Sequence, residues 1–249
     1  MKVLVVGGSG LVGTFITPYL AKVHDLRVLD VVPPKHDGLV EYVKGSISNP
    51  DDVAKALDGV DTFINLVMRS PQGGEKTDQD LTTIVNNYEV NTLGLHLLLW
   101  TAQGMGIRAG VHTSTMSVHY RKRDWYPGEE MTPLDTPSAY GMTKGLGEQI
   151  CAYFARWFDM RIIALRITGP RTREQYLAER RNPIHPGLYV TDEEDLARAY
   201  LAGLEAVKTG HGRFDAVFIA GDEKEEAHNL SKARTLLGWM PESQKYLED

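Results

Sequence analysis

The chain has 249 residues, of which 27 are basic and 33 acidic, for a formal net charge of −6. With 42% hydrophobic and 24% charged residues its composition is that of an ordinary soluble protein, which excludes disordered, collagen-like and coiled-coil classes. No apolar run approaches the roughly 18 residues of a membrane span, the start Met1–Gly8 is too short an apolar run for a signal peptide, and the acidic balance argues against nucleic acid as partner. One cysteine, Cys151, rules out an internal disulfide and a cysteine-based metal cluster, so a reducing cytoplasm is the expected compartment. At about 150 residues per domain, the length suits one large domain with a small appendage.

Lys2–Gly7 is a β-branched run ending in glycine, the pattern of a fully buried parallel strand. Glycines recur at Gly7, Gly10 and Gly13, and an apolar-periodic helix is predicted over Leu11–Val23. Leu26–Val32 is a second strand, which completes a βαβ unit. Val40–Val43 is predicted as a strand and Asn49–Asp58 as a helix capped by Asn49 with Pro50 at its first position. Thr62–Val67 is a strand, Arg69–Thr82 an exposed loop and Leu81–Met105 a long helical segment. Ala109–Thr115 is a strand, Val118–Pro137 a long loop, Ser138–Phe158 a helix and Arg161–Ile167 a strand. Such alternation predicts an α/β fold, a doubly wound parallel sheet. Beyond it, Arg171–Pro186 is predicted to be irregular. Thr191–Val207 is a helix in which Thr191 and Glu194 are spaced as a capping box. Arg213–Ala220 is a strand, Ser231–Leu237 a short helix, and Gln244–Asp249 a frayed end.

The glycine turn between strand and helix suits a pyrophosphate, because glycine lets the backbone approach the anion and the helix start offers free N–H groups. Asp30 stands at the end of the second strand, where a carboxylate accepts hydrogen bonds from the ribose hydroxyls of NAD and repels the 2′-phosphate of NADP. NAD is therefore the expected cofactor. Tyr140 and Lys144 are four apart, hence on one helix face. A phenol titrating near about 10 becomes a useful acid or base when a cation stabilises its phenolate. An exposed surface pair is the bland alternative.

These motifs together resemble an extended short-chain dehydrogenase/reductase of the NAD-dependent epimerase/dehydratase family. Gly7–Gly13 resembles the glycine motif, Asp30 the ribose carboxylate and Val60–Val67 the strand flanking the cofactor. Asn91–Gly94 resembles the helix-four motif, Thr113–Thr115 the serine-rich strand end, and Tyr140 with Lys144 the catalytic pair. Leu165–Arg166 and Thr168–Pro170 resemble the strand and turn beside the nicotinamide, and Leu236–Pro241 the C-terminal signature. The resemblance implies a Rossmann core over residues 1–167 and an abbreviated substrate-binding region over 168–249, interleaved in one structural unit.

It further implies that Tyr140 is the general acid/base, and that Lys144 lowers its pKa and binds the nicotinamide ribose. Thr115, 25 residues before Tyr140, would hold the substrate oxygen, with Ser114 as its competitor. Asn91 would hold helix four and a relay water, or else serve as a packing asparagine. Cofactor contacts are expected from Gly7, Gly10, Leu11, Val12, Gly13, Asp30, Ser46, Ile47, Leu66, Val67, Tyr140 and Lys144. Two positions depart from the family pattern: Ser46 stands where an aspartate often touches adenine, and Asn65 where a histidine is usual.

The segment from Gly169 to Thr191, about twenty residues, is shorter than the insert with which relatives hold nucleotide-diphosphate sugars. The compact layout is similar to uronate dehydrogenases and favours a small sugar or sugar acid. Arg171, Arg173, Arg180 and Arg181 are candidates for a substrate carboxylate. Their neighbours Glu174 and Glu179 offer the alternative of a salt-bridged surface helix. Met116 and Ser117 take the places where uronate dehydrogenases carry Asn–His, so they are expected to touch substrate, and the departure leaves other small substrates open. Trp125–Tyr126 is a candidate pocket wall. No metal is expected, since His112, His119 and His185 have no paired ligand spacing. Arg121–Lys122–Arg123 reads as a solvated loop and Cys151 as buried packing. Helices 91–104 and 138–158 have apolar faces broader than one sheet needs, and the resemblance implies that they pair across a two-fold axis as a four-helix bundle in a homodimer. The competing functions are a nucleotide-sugar epimerase or dehydratase that retains NAD, and a non-catalytic NAD-binding member.

Overall fold

The computed structural model describes residues 1–69, 79–120, 123–182 and 189–247. The expected loop at 70–78, together with Arg121, Lys122 and His185, lies outside the described residues. The chain forms β1 (Lys2–Val6), α1 (Leu11–Leu20), β2 (Asp25–Asp30), β3 (Glu41–Lys44), α2 (Pro50–Leu57), β4 (Thr62–Asn65), α3 (Leu81–Asn87), α4 (Leu95–Gly104) and β5 (Ala109–Thr115). It continues with α5 (Ala139–Trp157), β6 (Arg161–Ile167), β7 (Pro170–Arg171), α6 (Arg173–Arg181), β8 (Thr191–Asp192), α7 (Glu193–Thr209), β9 (Phe214–Ile219) and α8 (Ser231–Leu237).

Seven strands form one parallel sheet in the order β3-β2-β1-β4-β5-β6-β9, the predicted doubly wound architecture. Period-two alternation divides β1 between two cores. Val3 and Val5 join Ile16, Val28 and Val217 on one face, while Leu4 and Val6 join Leu29, Phe63, Leu98 and Phe154 on the other. The strand order reverses between β1 and β4. A crevice therefore opens at their carboxyl ends, where open α/β sheets place their ligands. Residues beyond 167 are woven into this body: α7 packs on α1 and β5, and β9 extends the sheet beside β6. Among the described residues, no helix is long and apolar enough to cross a membrane.

Three details differ from the sequence expectation. Residues 81–104 are helical as expected, but Tyr88–Gly94 widens into a π segment between α3 and α4. The stretch expected to be irregular contains α6, which has almost no apolar stripe. It is started by Thr172 and Gln175, each side chain bonded to the other's backbone N–H. The cap of α7 is Asp192, which accepts from the Glu194 N–H at 2.9 Å. Thr191 is instead paired in β8 with Pro170. By contrast, Asn49 caps α2 as predicted, accepting from the N–H groups of Asp51 and Asp52. Arg27 closes the other end of α2 by donating to the carbonyls of Ala56 and Asp58.

Helix α1 lies close upon β1 because Gly13 has no side chain. A β-carbon there would sit 2.2 Å from the Gly8 carbonyl oxygen. Gly13→Ala is expected to lose about 1–3 kcal/mol of stability by overpacking, measured as a lower urea midpoint.

Candidate active site

The first turn of the site is built by backbone. Gly7 takes a φ of +80°, and a β-carbon there would meet Val67 at 2.9 Å, so the chain can turn here only with glycine. The turn is tied to the next strand: the Ser9 N–H donates to Asp30 Oδ2 at 3.0 Å, and Ser9 Oγ donates to the Val32 carbonyl at 2.7 Å. Gly10 starts α1 without any side-chain cap, and the first turn carries no acidic residue. Its N–H groups are thus left for an anion.

A cavity of about 970 Å³ runs along the carboxyl edge of the sheet. At one end it is lined by Gly7, Gly10, Leu11, Val12, Asp30, Ser46, Ile47, Leu66 and Val67. All belong to the expected cofactor list, whose other members are Gly13, Tyr140 and Lys144. Gly13 does not line the cavity and lies against Gly8, where a β-carbon would have no room. The cradle fits a dinucleotide: a glycine turn, an uncapped helix start for the pyrophosphate, and a carboxylate at the ribose position.

The middle of the cavity carries the side chains expected to be catalytic. Ser138 caps α5 by accepting from the Gly141 N–H at 3.0 Å, which brings Tyr140 into the first turn. Tyr140 is half-buried, lines the cavity, and directs its hydroxyl to Met68 Sδ at 3.7 Å. Thr115 and Ser114 point to opposite sides of β5, as successive strand residues must. Thr115 lines the cavity and Ser114 does not; its hydroxyl donates to Glu148 Oε1 at 2.5 Å. The Thr115 hydroxyl also accepts from the Ser117 N–H at 3.1 Å, capping the short turn Met116–Val118. Met116 and Ser117 line the cavity beside it.

Lys144 lies one turn along α5 from Tyr140 and is 1% exposed, outside the cavity lining. In this conformation the side chain is enclosed where α5 packs on β5. Burial pushes its ammonium down to about 8, against the opposing pull of Cys151 and Glu148. Asn91 is likewise outside the lining. From the π segment its carboxamide accepts from the Arg69 N–H at 2.8 Å, and donates to the Arg69 carbonyl at 2.9 Å and to Thr143 Oγ1 at 3.0 Å. It fastens the loop after β4 to α5. Cys151 is buried and its thiol pushed up by burial, which suits packing and not a nucleophile.

The far end of the cavity is lined by Tyr126, Thr168, Gly169, Pro170, Arg171, Tyr189 and His228. Arg171 gives Nε to Glu179 at 2.8 Å and Nη1 to the Pro170 carbonyl, leaving Nη2 uncommitted among the described residues. The expectation for Arg173 is corrected: its guanidinium is clamped by Asp192 at 2.6 Å and Glu194 at 2.7 Å, stacks on Tyr246, and does not line the cavity. Arg180 pairs with Glu223, so the salt-bridged alternative describes most of this cluster. Tyr126 is at the wall as expected, whereas Trp125 is exposed. His228, Tyr189, Arg69 and Met68 were not anticipated. For His228 the sequence offers no local signal, since its partner Tyr126 is about a hundred residues away.

A profile of the NAD dependent epimerase/dehydratase family matches residues 3–182. The chain belongs to this family. Among curated relatives, a 3-beta-hydroxysteroid dehydrogenase of Mycolicibacterium neoaurum is 34% identical over 155 residues, covering 59% of this chain and 42% of that protein. The chain thus matches less than half the length of the curated relatives. Among solved structures, a UDP-glucose 4-epimerase from Brucella ovis in complex with NAD aligns with a TM-score of 0.79 at 18% identity, covering 99% of this chain and 96% of that one. A mutated uronate dehydrogenase aligns at 0.74 and 23% identity, covering 99% and 84%. These likenesses show the fold, and membership of this NAD-binding family makes NAD the cofactor.

The depressed ammonium of Lys144 has a stability consequence. Between pH 8 and the ordinary 10.5 of lysine, the folded protein holds fewer protons at this site than the unfolded chain, so stability gains with rising pH. Lys144→Met lacks that gain. Its stability relative to the native protein is expected to be greatest below pH 8 and to decline toward pH 10.5, as read from paired urea midpoints.

Proposed function

We propose that the protein is a NAD-dependent oxidoreductase that oxidises a hydroxyl of a small, anionic sugar or sugar acid. The reading rests on one observation above all. Tyr140 and Thr115 open on the same cavity as the dinucleotide cradle, and beyond them the wall carries Arg171, His228 and Arg123, the last already paired with Asp135, while no carboxylate among the described residues lines that part of the wall. NAD, when bound, supplies the hydride acceptor. The remaining work falls to the chain. Thr115 holds the substrate oxygen by hydrogen bonding. Tyr140 takes the hydroxyl proton, its phenolate favoured by the nearby positive charge of Lys144. Asn91 keeps the loop bearing Met68 and Arg69 against α5. Arg171 offers its uncommitted Nη2 to a substrate carboxylate. Asp30 is the ribose carboxylate that favours NAD over NADP. The compartment proposed is the cytoplasm, where a lone cysteine stays reduced.

A second reading, oxidation of a hydroxysteroid, is favoured by the curated relatives and by the apolar lining from Met116, Tyr126, Ile167 and Tyr189. Incubating the protein and NAD separately with free uronates, aldoses, UDP-sugars and 3β-hydroxysteroids, and following NADH absorbance, distinguishes them. Net NADH with a uronate is the expected result. NADH formed only from a steroid, or sugar conversion without net NADH as an epimerase gives, would overturn it. Tyr140→Phe is expected to lower kcat about 10²–10⁴-fold while NAD affinity stays within about threefold of the native value; unchanged turnover would remove Tyr140 from the mechanism.

The assembly proposed is a homodimer through helices 91–104 and 138–158. Leu93, Trp100, Leu146, Tyr153 and Trp157 are exposed on these helices, apolar side chains that a second copy could cover. The double variant Trp100→Glu/Tyr153→Glu is expected to run at half the mass of the native protein in light scattering.

A further inference from the structure

His228 is the most highly constructed side chain at the far end of the cavity. Its ring stacks on Tyr126 with centroids 5.0 Å apart and planes 8° from parallel, and Tyr189 and Phe218 meet it edge-on at 5.3 and 6.5 Å. The backbone supports the same contact. The Tyr126 N–H donates to the Ala227 carbonyl at 2.7 Å, and the Asn229 N–H donates to the Tyr126 carbonyl at 3.0 Å. Ring Nδ1 lies 3.1 Å from Asp222 Oδ2. Asp222 is buried and also accepts from the backbone N–H groups of Glu226, Ala227 and His228, each at 2.9 Å. A carboxylate gathering four donors is an acceptor only, so Nδ1 carries the proton. Burial raises the Asp222 carboxyl, but the His228 ring and these N–H groups outweigh it and hold it below its ordinary value. In the neutral imidazole, Nε2 is then a hydrogen-bond acceptor. It has no partner among the described residues, and His228 lines the cavity.

Position gives this acceptor its meaning. Asp30 lies at the end of β2, two strands to one side of the switch point, while His228 follows β9, the opposite edge of the sheet. Tyr140 and Thr115 stand between them. An acceptor at that far end meets the part of the substrate that is not reacting.

We propose that His228, its tautomer fixed by Asp222, is a specificity-determining residue whose Nε2 accepts a hydrogen bond from a second hydroxyl of the substrate. The inference deepens the reading of a polyhydroxylated substrate and rests on it. A bare hydrocarbon at this place would leave Nε2 unpaired, which a buried polar site resists.

The experiment uses NAD-saturated protein with D-glucuronate, D-galacturonate and their monodeoxy analogues as probes, combining calorimetric titration with turnover. His228→Phe keeps the stacking on Tyr126 and removes the acceptor. It is expected to raise Kd and KM about tenfold or more with kcat within about threefold and NAD affinity unchanged. One monodeoxy analogue is expected to bind native and variant protein equally. His228→Gln, which restores an acceptor oxygen, is expected to recover part of the loss. Should the Phe variant fail to bind NAD, the ¹⁵Nε2 resonance of His228 in the native NAD complex decides, and a shift on adding the bound uronate is expected. Oxidation of a uronate with equal affinity in native and Phe proteins, or an unmoved resonance, overturns the role of His228 and leaves the proposed activity standing. Native protein that neither binds nor oxidises any of these probes overturns both.

Discussion

The arrangement of the site depends on the buried ion pair between Glu148 and Arg166. The guanidinium meets the carboxylate with two hydrogen bonds, Nε to Oε1 at 2.9 Å and Nη2 to Oε2 at 2.7 Å. Ser114 adds a third donor to the carboxylate, while Arg166 Nη1 also donates to His119 Nε2 and to the Glu129 carbonyl. A buried pair gains little over a well-packed apolar substitute, but breaking one costs about 3–5 kcal/mol because a charge is left alone. Here the pair joins α5, β5, β6 and the long loop after β5. Tyr140, Lys144 and Glu148 are spaced by four on one helix face. Anchoring Glu148 therefore fixes both the depth and the rotation at which the phenol meets Thr115. His119 is drawn into the same network. Burial lowers its pKa to about 4, the neighbouring Arg166 also disfavouring a charged ring, so it stays a neutral acceptor for the arginine.

Three kinds of force thus share one cavity. The dinucleotide end is made of backbone, with glycines and a bare helix start held to Asp30 by the Ser9 amide. The middle is set by buried charge. The far end is set by aromatic packing around His228 and by the bridge that joins Tyr126 to it. Asp222 and Glu179 are each paired to a ring or a cation, so neither carboxylate lines the cavity.

What the sequence could disclose follows from the range of each interaction. The glycine turn, Asp30 and the Tyr140–Lys144 spacing are local patterns whose chemistry is carried within a few residues or one βαβ unit; Gly7, Gly10, Asp30 and Tyr140 line one cavity, while Gly13 and Lys144 lie buried beside it. The choice between Ser114 and Thr115 was open in sequence and follows once the strand's alternation is placed against Glu148. The arginine cluster could not be resolved from composition, which shows charge but not partners: Arg173 is consumed by Asp192 and Glu194, Arg180 is paired with Glu223, Arg181 is exposed, and Arg171 keeps one edge at the cavity wall. Helix α6 was hidden by its polarity, although Thr172 and Gln175 carried a legible start signal. The π segment had no signal, since its wider turn serves a contact between Asn91 and Arg69 that no pattern of hydrophobicity records.

The bridge between Tyr126 and His228 also divides the molecule in time. The dinucleotide cradle is complete within the first 67 residues, from neighbouring strands with short connections. The wall at the other end closes only when segments 102 positions apart in the chain meet. Contacts of such sequence separation form late, because the intervening chain must be ordered first. The two ends of the pocket therefore differ in how much chain must be placed to build them: one is assembled from the first 67 residues, the other needs partners more than a hundred positions apart.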